Sequence, residues 1–205
     1  SLKSYFSEIS YKDVSSIWSG GRPLIKQSKK AAKNIFIPIA VGGGVRSQED
    51  AEKLLHSGAD KICINTAAIK DPKMITKLAK RFGSQCIVLS VEAKKISDNQ
   101  WEAYTHNGRE KTGLKVKSWI KKAIDCGVGE VVLTSVDCDG TGSGFDYNLI
   151  SDVKKICKVP LVVSGGLGQI HHLKKIMTLG KIDAIASARA LHYNELSVSN
   201  IKKYI

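Results

Sequence analysis

The sequence predicts an α/β fold, a (β/α)8 barrel built from two repeated halves. Two observations carry this. Short, nearly continuous apolar runs alternate with amphipathic helical stretches along the chain. The chain also matches itself at an offset of 122 residues.

The apolar runs give the strand candidates Glu8–Val14, Ile37–Val41, Lys61–Ile64, Cys86–Val91, Glu130–Val136, Val159–Val163 and Asp183–Ala186. Few polar residues interrupt them, as expected of parallel strands covered on both faces. In the self-match, Ile37-Pro38-Ile39-Ala40-Val41-Gly42-Gly43-Gly44 lies on Val159-Pro160-Leu161-Val162-Val163-Ser164-Gly165-Gly166, and Gly58 on Gly180. Ile62–Ala67 lies on Ala184–Arg189, Glu8 on Glu130 and Val14 on Val136, with no gap.

Two such halves make eight parallel strands, yet seven are counted here. The mate of Cys86–Val91 would lie before the chain begins. The expectation is one domain over residues 1–205 carrying strands two to eight, with the first strand and most of the first helix absent from this chain.

The helices announce their ends. Ser47 with Asp50 opens one whose buried stripe is Ala51, Leu54 and Leu55, and Gly58 stops it. Asp71-Pro72 opens the next as N-cap and first-turn proline; Met74, Ile75, Leu78 and Phe82 pack it and Gly83 ends it. Val116, Trp119, Ile120 and Ala123 stripe a third that stops at Gly127. Leu149, Ile150, Val153 and Ile156 stripe a fourth, capped by Asp146; Leu173, Ile176 and Met177 stripe a fifth, ending at Gly180. His171-His172 reads as a solvated cap region. The connection from Lys94 to Leu114 is long, with a turn at Asn107-Gly108, and predicts a lid or binding element.

Composition excludes several classes. No run of 18 apolar residues exists, so no membrane span is expected, and the N-terminus lacks the apolar centre of a signal peptide. The five cysteines form no CxxC pair and read as reduced core residues of a cytoplasmic protein. A net charge of +13 suggests nucleic acid, but the lysines are spread over many helices without interleaved aromatics, so no nucleic-acid partner is expected. The positive field suits a phosphorylated substrate or an acidic partner. The histidines show no metal spacing, and no nucleotide motif appears, so neither metal nor cofactor is expected.

The chemistry gathers where strands end, the edge at which parallel α/β proteins bind ligands. Asp137 stands at the end of the strand Glu130–Val136, in Ser135-Val136-Asp137-Cys138-Asp139-Gly140-Thr141, and is the candidate general acid/base. Gly42-Gly43-Gly44 and Gly165-Gly166 follow strands, where glycine lets backbone N–H groups approach an anion. Asn65 and Thr66 in one half and Ser187 in the other add side-chain donors one strand on. The alternative for each glycine pair is a tight turn. Two such sites in register, Gly43, Gly44, Asn65 and Thr66 against Gly165, Gly166 and Ser187, predict a substrate with a phosphate at each end, the sites facing one another across the barrel mouth. Asp13, ending the first strand candidate, is read either as a substrate contact or as a structural hydrogen bond.

Pro38-Ile39-Ala40-Val41-Gly42-Gly43-Gly44-Val45-Arg46, Gly58-Ala59-Asp60-Lys61, Ile64-Asn65-Thr66-Ala67-Ala68, Phe82-Gly83-Ser84-Gln85, the Ser135–Thr141 loop, Ser143-Gly144-Phe145-Asp146 and Ser164-Gly165-Gly166 closely resemble the cyclase subunit of imidazole glycerol phosphate synthase. The resemblance runs from about Glu8 to the C-terminus. It implies a lyase of histidine biosynthesis that takes ammonia from a glutaminase partner through the barrel core. At the far mouth, ammonia would attack a phosphoribulosyl-formimino intermediate with two phosphates, giving imidazole glycerol phosphate and an aminoimidazole carboxamide ribotide. It implies that Asp137 is one of two catalytic aspartates, the other on the absent first strand, and that Asp13 lies near the substrate. It implies that Lys94 lies at the ammonia entrance with Glu92, which stands where the family usually has aspartate; Cys138 replaces a usual arginine.

Gly83-Ser84-Gln85-Cys86, Tyr104–Arg109 and Leu191-His192-Tyr193-Asn194 resemble instead a paralogue group that helps supply ammonia for amidating a surface sugar. The sister isomerase shares the two-half barrel and the two-phosphate substrate. The loop at Asp137 and the Lys94–Leu114 excursion favour the cyclase.

Overall fold

A computed structural model describes residues 9–12, 29, 33, 37–180 and 182–204. They fall into two compact groups. One holds the described residues up to Ser90 with Lys122–Glu130; the other holds Val91–Lys121 and the described residues from Val131 onward.

In the first group β1 (Ile9–Lys12), β2 (Ile39–Gly42), β3 (Lys61–Ile64) and the start of β4 (Ile87–Ser97) pair in parallel, in that order. The registers are Ile9↔Ile39, Val41↔Ile62 and Cys63↔Val88. Helices α1 (Gln48–His56), α2 (Thr66–Lys70) and α3 (Lys73–Phe82) lie between the strands. Ile39, Val41, Ile62, Ile64, Leu54, Ile75, Leu78, Ile87 and Leu89 are buried, which is why the runs and stripes stand out in the sequence.

Ser47 caps α1 by accepting from the Asp50 N–H at 3.2 Å, and Gly58 follows its end with φ 96°. The start of α3 differs by one residue from the expectation. Asp71 is extended (φ −137°), Pro72 is the N-cap, and Asp71 Oδ1 accepts from the Lys73 N–H at 3.0 Å. Buried Glu130 pairs with Lys61 at 2.7 Å.

In the second group the rest of β4 is followed by two strands that the apolar pattern does not announce. β4 runs 11 residues to Ser97, then β5 (Gln100–Thr105) and β6 (Glu110–Lys115) return antiparallel. The Lys94–Leu114 stretch is thus an ordered sheet extension. The expected turn is present, with His106, Asn107 and Gly108 at φ 54°, 60° and 76°. β7 (Glu130–Ser135) lies beside β4, with the Val136 N–H donating to Ala93 O at 2.8 Å. β8 (Leu161–Ser164) and β9 (Ala184–Ala186) continue in parallel. The helices are α4 (Val116–Asp125), α5 (Tyr147–Lys154), α6 (Ile170–Met177), α7 (Arg189–His192) and α8 (Val198–Lys202).

Parallel strands alternating with helices place the chain in the (β/α)8 barrel class that the sequence predicts, with an added hairpin. Some side chains depart from expectation. Met177 is exposed, Ile156 lies beyond the end of α5, and His172 is buried rather than solvated. The five cysteines are free and half-buried rather than core.

The repeat holds in the structure with one slip, where the sequence match of Ile62–Ala67 on Ala184–Arg189 has none. β2 and β8 keep the offset of 122, but β3 and β9 stand 123 apart: Ala40 pairs with Lys61, whereas Val162 pairs with Ala184. The extra residue falls after Gly180, since Asp60 and Asp183 play the same part. The Asp60 carboxylate accepts from the Ile39 N–H at 2.8 Å, and that of Asp183 from the Leu161 N–H at 2.9 Å.

Candidate functional site

Asp137 follows β7 in a tight loop. The Asp139 N–H donates to Ser135 O at 2.9 Å, and the Thr141 N–H to Cys138 O at 3.1 Å. The Asp137 side chain is exposed, and its Oδ2 accepts from the Lys95 N–H at 2.7 Å. One carboxylate oxygen is therefore pinned and the group stays open to solvent, which suits proton transfer. Burial pushes the Cys138 thiol up, with the Asp146 and Asp137 charges adding to it against a lowering contact from Ser135, so this cysteine is held as the thiol. Asp146 is a cap, as expected: Oδ1 accepts from the Leu149 N–H at 3.0 Å, and Oδ2 from Trp101 Nε1 at 2.8 Å.

The loop after β8 packs backbone to backbone on this one. Gly165 and Gly166 have φ 92° and 104°. A Cβ on Gly166 would overlap the carbonyl of Gly144, one on Gly168 that of Gly142, and one on Gly165 would lie 2.8 Å from Ser135 O. The Gly144 N–H donates to Gly166 O at 2.8 Å. These glycines thus meet a packing demand, and Gly165 and Gly166 are buried. Ser187, half-buried, lies just past β9.

In the first group Gly43 and Gly44 repeat the conformation, with φ 117° and 72°. Asn65 is the N-cap of α2, whose first residue is Thr66, and both are half-buried. In the structural register Thr66 corresponds to Arg189, the first residue of α7, and Asn65 to Ala188; Ser187 takes the place of Ile64. Asp13 lies outside the described residues.

Glu92 is buried in β4, where its Oε2 accepts from the Gly108 N–H at 2.9 Å and ties down the hairpin turn. Lys94 sits 5.4 Å from the Tyr104 ring centre. Both lie in the C-terminal half of β4, just before Lys95, which binds Asp137. They therefore share the strand end that carries Asp137.

Two contributors have no sequence motif. Buried His172 turns Nδ1 toward the N–H groups of Gly168 and Gln169, at 3.3 and 3.2 Å, and so fixes the end of the glycine loop. Burial, then the neighbouring charges of His171 and Lys175, hold its pKa below the usual value. Arg189 lays its guanidinium against Gly142, where any Cβ would overlap Nη1. The three-residue spacing of Gln169 and His172 is the one sequence signal for the first; the second has none.

Among the described residues no cluster of His, Cys, Asp or Glu could hold a metal ion, and no helix is long and apolar enough to cross a membrane. Compared with known families, residues 3–197 match the family model described as Histidine biosynthesis protein.

Proposed function

The chain belongs to the histidine biosynthesis protein family of barrel enzymes, and on that premise we propose that it is the ammonia-dependent cyclase-lyase type, acting on a substrate with two phosphates. The observation that carries this reading is Asp137: a solvent-facing carboxylate at a parallel strand's C-terminal end, with one oxygen fixed by the Lys95 N–H at 2.7 Å. Held there, it moves protons as ammonia adds to the substrate, the imidazole ring closes and the carboxamide ribotide leaves. The glycine pairs Gly43-Gly44 and Gly165-Gly166, both at positive φ, support two phosphate grips. Asn65, Thr66 and Ser187 add donors beside them. A glutaminase subunit is the partner that supplies ammonia.

The test is turnover of the phosphoribulosyl-formimino substrate with ammonium salts, run beside an assay for the sister isomerase on its two-phosphate substrate. Formation of imidazole glycerol phosphate, lost in Asp137→Asn, supports the cyclase. Isomerisation without cyclisation assigns the sister activity. Neither activity in a folded protein, with a glutaminase still captured, moves the reading to an ammonia-supplying subunit.

A further inference from the structure

We infer that Trp101 is a positioning residue for Asp137: through Asp146 it fastens the far end of the loop whose near end carries the proton-transferring carboxylate. This rests on the reading of Asp137 as the acid/base. A helix cap needs only one carboxylate oxygen, and Asp146 uses both. Its Oδ1 accepts from the Leu149 N–H at 3.0 Å and starts α5, while Oδ2 accepts from Trp101 Nε1 at 2.8 Å. The Trp101 side chain is buried, at 6% exposure. A buried indole N–H needs an acceptor, and a carboxylate makes the bond charge-assisted.

The register of β4 and β5 ties this bond to Asp137. Trp101 is the cross-strand partner of Lys95, and the Lys95 N–H is the donor that holds Asp137 Oδ2 at 2.7 Å. One cross-strand pair therefore grips the loop after β7 at both ends, Lys95 by main chain at Asp137 and Trp101 by side chain at Asp146. The stretch between is rich in conformational freedom: Gly140, Gly142 and Gly144 stand at φ 73°, 69° and 106°. Its internal bonds are local turns, from the Asp139 N–H to Ser135 O, the Thr141 N–H to Cys138 O and the Ser143 N–H to Thr141 Oγ1. At the far end the Gly144 N–H also donates to Gly166 O at 2.8 Å, so Trp101 adds an anchor from the hairpin to one from the loop after β8. Released there, the loop shifts at Asp137, and a misplacement of about 1 Å is enough to cost about 10²-fold in rate.

The experiment compares the whole chain with Trp101→Phe, which keeps a buried ring and removes the N–H, and with Asp146→Ser, which still caps α5 but is too short to reach the indole. Amide hydrogen exchange at Lys95 reads the grip on Asp137 without substrate. Steady-state rates with ammonium salts and the two-phosphate substrate read the chemistry. In both variants the Lys95 amide should exchange about tenfold faster. Turnover should fall about tenfold with KM near that of the parent. The double variant should be no worse than either single change, since both remove one bond. Trp119→Phe is the control: it alters another buried indole, whose Nε1 has no hydrogen-bond partner among the described residues. It should lower the melting temperature and leave Lys95 exchange and kcat unchanged. Unchanged Lys95 exchange in Trp101→Phe, or in Asp146→Ser should the first variant not fold, overturns the inference. So do faster exchange with unchanged kcat and additive losses in the double variant. A parent that exchanges normally but forms no imidazole product overturns the cyclase reading instead, and Lys95 exchange then decides alone whether Trp101 holds Asp137.

Discussion

The Lys95 N–H donates to Asp137 Oδ2 at 2.7 Å, joining the overhanging end of β4 to the loop after β7. The bond comes from main chain, so it fixes the carboxylate whatever side chain stands at position 95. Asparagine at 137 can accept the same bond but cannot exchange a proton at neutral pH. Asp137→Asn should therefore lower cyclase turnover by about 10²- to 10⁴-fold with little change in melting temperature. Steady-state rates with ammonium salts beside a thermal melt check this. Equal loss of activity and stability would mark Asp137 as structural.

Gly166 and Gly140 separate two reasons for glycine. Both have positive φ, 104° and 73°, but a Cβ on Gly166 meets the Gly144 carbonyl, whereas one on Gly140 meets nothing within 4 Å. Gly140→Ala should cost about 1–2 kcal/mol from backbone conformation alone. Gly166→Ala should cost more, because two loops must separate. Urea unfolding of both variants gives the comparison.

These cases show how far the sequence could be read. The run at Ile39–Gly42 is legible because burial on both faces leaves little room for polar residues, and Leu161–Ser164, which alternates buried and half-buried, because it stays apolar to Val163. Asp146 and Ser47 are legible because capping is local. β6 is hidden: it reads Glu110-Lys111-Thr112-Gly113-Leu114-Lys115, is almost wholly exposed, and owes its pairing to β5. The one-residue slip after Gly180 is hidden because Gly58 and Gly180 align before it and short apolar runs align either way. Arg189 escapes notice because Gly142, against which it packs, is distant in sequence, and His172 because a histidine three residues after Gln169 reads equally as a solvated cap.

His172 gives a pH dependence with a definite sign. Its folded pKa lies below the ordinary 6.5, chiefly through burial and then through the charges of His171 and Lys175. The unfolded chain then binds more protons than the folded one below pH 6.5. The contribution is complete above that value and is lost as pH falls toward the folded pKa. Melting temperature should drop between pH 7.5 and 5.5, and His172→Gln should flatten the slope. An unchanged slope would place the acid sensitivity elsewhere.

Asp60 and Asp183 allow the duplication itself to be tested. Each exchanges two hydrogen bonds with the first residue of its half's glycine-bearing strand. The Asp60 N–H donates to Ile39 O at 2.9 Å while its carboxylate accepts from the Ile39 N–H at 2.8 Å. The Asp183 N–H donates to Leu161 O at 3.2 Å while its carboxylate accepts from the Leu161 N–H at 2.9 Å. Alanine at either site keeps the main-chain bond and leaves a strand N–H without its charged acceptor. That should cost about 1.5–3 kcal/mol where the N–H is shielded, and less where water can replace the carboxylate. Asp60 is exposed and Asp183 half-buried, so Asp183→Ala should be the more damaging of the two in urea unfolding. Asparagine at each site should recover part of the loss, since its carbonyl accepts without the charge. A larger loss at Asp60 would show that solvent access does not set the worth of these paired bonds.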